Sequence, residues 1–180
     1  MEIITKRLLL REFTEGDLPG LVAYRADRQY AEFDQAPDNH ARELLTLFLR
    51  WAAEVPRRNY QLAIAPLGAP RELMGCCGLR GQGLDAGRAE FGIEVAPRWW
   101  GHGFATEAAR ALLRVGFREL ELHEVRGVSV TQNTRVTSLV SRLGFVSVGS
   151  SDGPAWIATR GWSQTQWLLT RQRWEATEAA

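Results

Sequence analysis

The order of apolar patterns along the chain predicts a mixed α/β domain, a largely antiparallel twisted sheet of about seven strands flanked by about four helices. Three observations lead to it. The segments Tyr60–Ala65, Glu72–Leu79 and Arg88–Val95 are extended runs separated by Pro66-Leu-Gly-Ala-Pro70 and by a glycine-rich stretch from Gly81 to Gly87, which marks an antiparallel meander. Past Gly103 the positions Ala105, Ala108, Ala109, Leu112, Val115, Gly116 and Leu120 recur with helical period. Extended segments then resume at Val125–Thr131, Phe145–Val148 and Trp162–Leu169, so helices cross between the later strands.

The remaining elements follow in chain order. Residues 3 to 13 read as an apolar-rich first strand, and Thr14 with Asp17 three positions on reads as a helix start leading into Leu18, Leu21, Val22 and Tyr24. Pro37, Asp38 and Asn39 precede Ala41, Leu44, Leu45, Phe48, Leu49 and Ala52, a second amphipathic helix that ends before Pro56. Residues 134 to 143 form a short helix closed by Gly144. With no repeat and no long Pro/Gly/Ser linker, the expectation is one domain over residues 1–180.

Composition removes several function classes. At 180 residues and 45% hydrophobic content the chain can bury one sizeable core, and a formal charge of +1 lacks the basic excess that a phosphate-backbone binder needs. Nucleic acid is therefore not an expected partner. The N-terminal apolar run is only Leu8 to Leu10, with charges on both sides, so neither a signal peptide nor a membrane span is expected. Cys76 and Cys77 are adjacent, point to opposite faces of a strand and cannot pair without strain, which suits a reducing cytoplasm. His40, His102 and His123 lie singly along the chain, so no metal site is expected. The sequence leaves monomer and homodimer both open.

The segment Ile93-Glu-Val95-Ala-Pro-Arg98-Trp-Trp-Gly101-His-Gly103-Phe-Ala105-Thr-Glu-Ala108 runs strand, tight turn, helix. Glycines let the backbone approach a ligand, and the unpaired N–H groups of a helix start favour a phosphate. A P-loop would need a Gly-Lys-Ser/Thr ending, and this turn ends Gly103-Phe104-Ala105. A dinucleotide fingerprint would need a third glycine where Thr106 stands, and the next strand ends in Thr131-Gln132-Asn133 rather than in an acid for a ribose. Glu121 lies at roughly the right sequence distance but ahead of that strand.

The third pattern, Arg98-x-x-Gly101-x-Gly103-x-Ala105, resembles the pyrophosphate-binding signature of the GNAT acetyltransferases. Thr5-Lys-Arg-Leu-Leu-Leu-Arg11, Gly103-Phe-Ala-Thr-Glu-Ala108 and Leu143-Gly-Phe145 are similar to the RimJ/RimL-like branch, the ribosomal-protein N-terminal acetyltransferases, and the likeness spans most of residues 3 to 149. The resemblance implies an acetyl-CoA-dependent N-acetyltransferase, with acetyl-CoA as co-substrate and no metal. It implies that the strand before the turn and the next parallel strand splay apart, with the pantetheine arm bonded to main-chain groups of Ile93 and Val95. Amides from Trp100 through Gly101, His102, Gly103 and Phe104 to Ala105 would hold the pyrophosphate, with Arg98 opening the turn. Asn133 matches a residue used near the pantetheine, and it also reads as a plain helix N-cap. Where relatives carry Ser and Tyr, this chain has Val136, with Thr137 and Ser138 beside it, and Val140-Ser141.

Acetyl transfer requires a neutral amine, so a carboxylate is a reasonable proton acceptor. Glu90 and Glu94 share one strand face, opposite Phe91, Ile93 and Val95, and either faces substrate or solvent. Glu90 is the choice for the base, because Glu94 lies beside the pantetheine segment. Glu107 reads as a dipole and capping residue, and His102 as a solvent-facing or phosphate-neighbouring turn residue. The acceptor is an amine, of a protein N-terminus or of a small molecule such as an amino acid, polyamine or antibiotic. A non-catalytic CoA-binding module is the reading from another class.

Overall fold

The computed structural model describes residues 1–34, 40–81 and 83–179, so Pro37, Asp38 and Asn39 lie outside the described residues. Its strands are β1 (Ile3–Ile4), β2 (Leu8–Arg11), β3 (Asn59–Pro66), β4 (Gly75–Arg80), β5 (Arg88–Val95), β6 (Glu124–Val130), β7 (Val146–Ser151) and β8 (Gln164–Thr170). They form one sheet in the order β1-β2-β3-β4-β5-β6-β8-β7. The helices are α1 (Leu18–Arg25), α2 (Arg28–Ala31), α3 (His40–Ala53), α4 (Phe104–Arg118), α5 (Thr134–Arg142), α6 (Ala155–Ala158) and α7 (Arg171–Glu178). The predicted mixed α/β class and the meander β3-β4-β5 are as read from the sequence, and every adjacent pair is antiparallel except β5 and β6.

Three differences have local causes. The single strand expected over residues 3 to 13 is a hairpin, because the Thr5 N–H and hydroxyl both donate to the Leu8 carbonyl and reverse the chain. The first helix begins as a 3-10 turn over Glu15–Asp17, whose Asp17 carboxylate accepts the Thr14 N–H and a bidentate pair from Arg11. Burial works against that carboxylate, but the Arg11 and Thr14 donors outweigh it and hold Asp17 below the usual range. Finally, α2 and α6 are single turns, and α7 buries only Trp174, so none leaves a periodic stripe to read.

Strand alternation divides the core between the two sheet faces. Leu8, Leu10, Leu62, Ile64, Cys77, Leu79 and Phe91 pack with Ala108, Ala109, Leu112, Leu113 and Phe117 of α4. Ala63 and Cys76 pack on the opposite face with Leu21 and Tyr24 of α1 and Leu45, Phe48 and Trp51 of α3. The adjacent cysteines are thus buried in different cores, both as free thiols. Among the described residues no helix is long and apolar enough to cross a membrane.

Candidate active site

The parallel pair β5 and β6 is joined only at its beginning. Arg88 lies opposite Glu124, Ala89 opposite Val125 and Glu90 opposite Arg126, and from Phe91 onward β5 has no registered partner on that side among the described residues. On its other side β5 stays paired with β4 to Val95, and β6 stays paired with β8 to Val130. The strands therefore part into a gap. The Ala96 N–H goes to Met74 next to β4, so by alternation the main-chain groups of Val95 and Ile93 point into the gap. One of these groups is already engaged, since the Val95 carbonyl accepts from the Trp100 indole at 2.7 Å.

Beyond the gap, Pro97–Trp99 makes a 3-10 turn and Gly101 and Gly103 adopt φ of +80° and +78°, the left-handed region that the glycine reading requires. Among the described residues a Cβ at Gly101 would meet nothing within 4 Å, and one at Gly103 only the Arg7 guanidinium at 3.6 Å. Protein packing thus does not demand these glycines, and the space over them is open. Among the described residues, none of the N–H groups from Gly101 to Thr106 has a hydrogen-bond acceptor, and the first helical bond runs from Glu107 to the Gly103 carbonyl. The Trp100 N–H closes the turn on Pro97, so this row of donors starts at Gly101 and not, as expected from sequence, at Trp100. It lies at the start of a 15-residue helix, where the dipole adds its positive end.

A groove of about 1020 Å³ connects this turn with the opposite face of β5. Its turn side includes Gly101, Gly103, Phe104 and Ala105, together with Asn133 and Arg135 of the next crossover. Asn133 caps α5 by accepting the Val136 N–H at 3.3 Å, and it also lines the groove. Arg135 lies 4.4 Å over the Trp100 ring. Ser138 and Val140 both line the groove, Val140 as part of the buried core. Arg98 is exposed and pairs with Glu72, and His102 is exposed with Nδ1 2.8 Å from the Trp100 carbonyl.

On the other side of the groove, Glu90 and Glu94 share a face as expected, but each meets an arginine. The Arg80 guanidinium donates to Glu90 Oε1 at 2.8 Å and lies against Gly92, where a Cβ would stand 2.6 Å from Nη2. Glu94 Oε2 accepts from Arg25 at 2.7 Å and from the Tyr24 hydroxyl at 2.9 Å. Arg25 also bonds to Asp34, which takes the Tyr30 hydroxyl as well. Burial opposes the Arg25 charge, but Glu94, Tyr30 and Asp34 together raise its pKa above the ordinary value, and burial raises the Tyr24 and Tyr30 phenols, which stay protonated donors. One guanidinium against two carboxylates leaves this cluster net negative, which suits a cationic amine.

Glu107 is more than a helix-start acid. Its carboxylate accepts from the Thr5 hydroxyl, the Arg7 N–H and the Arg7 guanidinium, tying the first hairpin to α4. Arg7, Arg25 and Arg135 escaped the sequence reading because each meets its partner from a distant stretch of chain, and Arg80 because its pairing with Glu90 depends on the register of β4 and β5. The recurrent Arg positions in Thr5-Lys-Arg7 and Arg11 were the one available hint.

The model of the acetyltransferase (GNAT) domain matches residues 7–146. The uncharacterized N-acetyltransferase p20 of Bacillus licheniformis is 26% identical over 151 residues, covering 82% of this chain and 83% of that protein. The FsC-acetyl coenzyme A-N(2)-transacetylase of Aspergillus fumigatus is 33% identical over 91 residues, 48% of this chain and 38% of its own length. Among solved structures, a spermidine N-acetyltransferase from Vibrio cholerae in complex with CoA and spermine superposes with a TM-score of 0.79 at 22% identity, covering 94% of this chain and 99% of that one. That likeness is one of fold. A family match over residues 7–146, most of the chain, means that the chain belongs to the GNAT acetyltransferase family and is an acyltransferase.

Proposed function

We propose that the protein is an acetyl-CoA-dependent N-acetyltransferase of the RimJ/RimL-like branch, a single domain over residues 1–180, which passes the acetyl group to a primary amine by direct attack. The observation that carries this reading is the gap between β5 and β6 leading to unpaired N–H groups from Gly101 to Thr106. A pyrophosphate fits the donor row, and the N–H groups of Ile93 and Val95 with the Ile93 carbonyl suit pantetheine amides and the thioester oxygen. Asn133 lines this half of the groove, and Arg98 and His102 are assigned to it as neighbours on the same turn.

The amine would arrive from the face of Glu90 and Glu94. Glu90 has its second carboxylate oxygen without a protein donor among the described residues, so it is the proposed proton acceptor, with Arg80 holding it in place. Glu94 is bound by Tyr24 and Arg25 and serves to orient and attract. Tyr24 and Arg25 lie in α1 and Asp34 follows α2, so acceptor choice is assigned to residues 14 to 54. A polypeptide N-terminus is the first acceptor to test, on the Thr5–Arg11 and Leu143–Phe145 likenesses. The net negative Arg25 cluster supports a small polyamine as the second. Two free, buried thiols favour a reducing compartment such as the cytoplasm.

Acetyl-CoA at about a hundred times its Kd should raise the melting temperature by roughly 5–10 °C, and ATP or NAD at equal concentration by far less. Equal stabilisation by all three would reject the reading. Thiol release with peptides, amino acids and polyamines then ranks the acceptors.

A further inference from the structure

Resting on the acetyl-CoA reading above, we infer that Arg7 is a positioning residue of the cofactor subsite: it neutralises Glu107 and braces the glycine turn, so that the donor row meets a phosphate without an opposing carboxylate. The side chain reaches most of the turn. Its Nε donates to Glu107 Oε2 at 2.6 Å, its Nη1 to the His102 carbonyl at 3.0 Å, and its guanidinium lies 4.4 Å from the Phe104 ring centroid. Among the described residues its Nη2 is the only group within 4 Å of the Cβ position of Gly103.

The platform that presents Arg7 is itself fixed. The Arg7 carbonyl accepts the Leu67 N–H, the Thr5 hydroxyl receives the Leu8 N–H, and Leu8 is fully buried. The Arg7 side chain is 42% exposed and that of Glu107 18% exposed, and ion pairs this close to water contribute little to stability. The contact is therefore poorly explained as a stabilising pair. Its location explains it better: a carboxylate in the first turn of α4 suits the helix dipole but competes with an anion for the same N–H groups. Three donors from the hairpin draw that carboxylate away, and they leave the helix its acid and the ligand its donors.

The test compares wild type, Arg7→Gln, Glu107→Gln and the double variant by CoA titration calorimetry and by steady-state kinetics, with melting curves to confirm folding. Arg7→Gln should raise the CoA Kd and the acetyl-CoA KM about tenfold while kcat stays within about threefold. Adding Glu107→Gln to it should restore binding to within about twofold of wild type, because the uncompensated charge is gone. A purely structural clamp gives the opposite sign, the double variant binding no better than Arg7→Gln. That result, or wild-type CoA affinity in folded Arg7→Gln, would overturn the inference. If Arg7→Gln does not fold, Arg7→Lys, which retains the charge and loses the fork and the stacking, is expected to bind CoA within about threefold of wild type, and a full tenfold loss would overturn it. Absence of CoA binding by wild type itself would instead remove the acetyl-CoA reading on which the inference stands.

Discussion

Replacing Gly103 with valine is expected to weaken acetyl-CoA binding by about a hundredfold or more while the protein stays folded. Gly103 has φ of +78°, where a β-branched residue is strained, and strain of this kind costs about 1–2 kcal/mol. Yet among the described residues a Cβ there would approach only the Arg7 guanidinium, so the described core does not resist the change. The damage falls on the turn, which either twists its N–H groups away or places two methyl groups where a phosphate oxygen must sit. Calorimetry with CoA reads the loss, and a melting temperature lowered by about 2–8 °C confirms a folded variant. Unchanged affinity in that variant would move the phosphate site elsewhere.

Glu90→Gln is expected to lower kcat about a hundredfold near neutral pH, with the Kd for acetyl-CoA within about twofold of wild type. The amide keeps the shape and the hydrogen bond from Arg80 but accepts no proton. Because a primary alkylamine becomes neutral on its own at high pH, the deficit should shrink as pH rises toward about 10. Glu94→Gln is the control: its carboxylate already takes donors from Tyr24 and Arg25, so its loss should raise the amine KM more than it lowers kcat. Wild-type turnover of Glu90→Gln across the pH range would assign the proton to water or to another group.

What the sequence could disclose was governed by distance along the chain. The strand, glycine turn and helix from Arg88 to Arg118 were legible because each signal is local: strand alternation, positive φ at two glycines and an apolar stripe of helical period. The face shared by Glu90 and Glu94 followed from the same alternation. The hairpin at Thr5–Arg7 was not legible, since its turn is made by a threonine hydroxyl within an apolar and basic run that composition reads as extended. The arginine partners were hidden for a different reason. Arg25 reaches Glu94 across 69 positions and Arg7 reaches Glu107 across 100, and no periodicity encodes a contact that only the assembled sheet creates. Trp100 shows a smaller limit, because the sequence places it in the donor row while its N–H is spent on Pro97 and its indole on Val95.

Direct transfer is the remaining commitment. Burial pushes the Cys77 thiol up to about 12 and holds Cys76 well above the ordinary thiol value, which disfavours the thiolate that an acyl carrier needs at neutral pH. On the proposed reading the acetyl group passes from the thioester to the amine while both are bound. Initial rates of thiol release, with acetyl-CoA and an accepted amine both varied, test this most directly. The account predicts double-reciprocal lines that intersect, with acetylated amine formed in step with free CoA; parallel lines, joined to an acetyl group trapped on Cys76 or Cys77 that transfers at a competent rate, would contradict it.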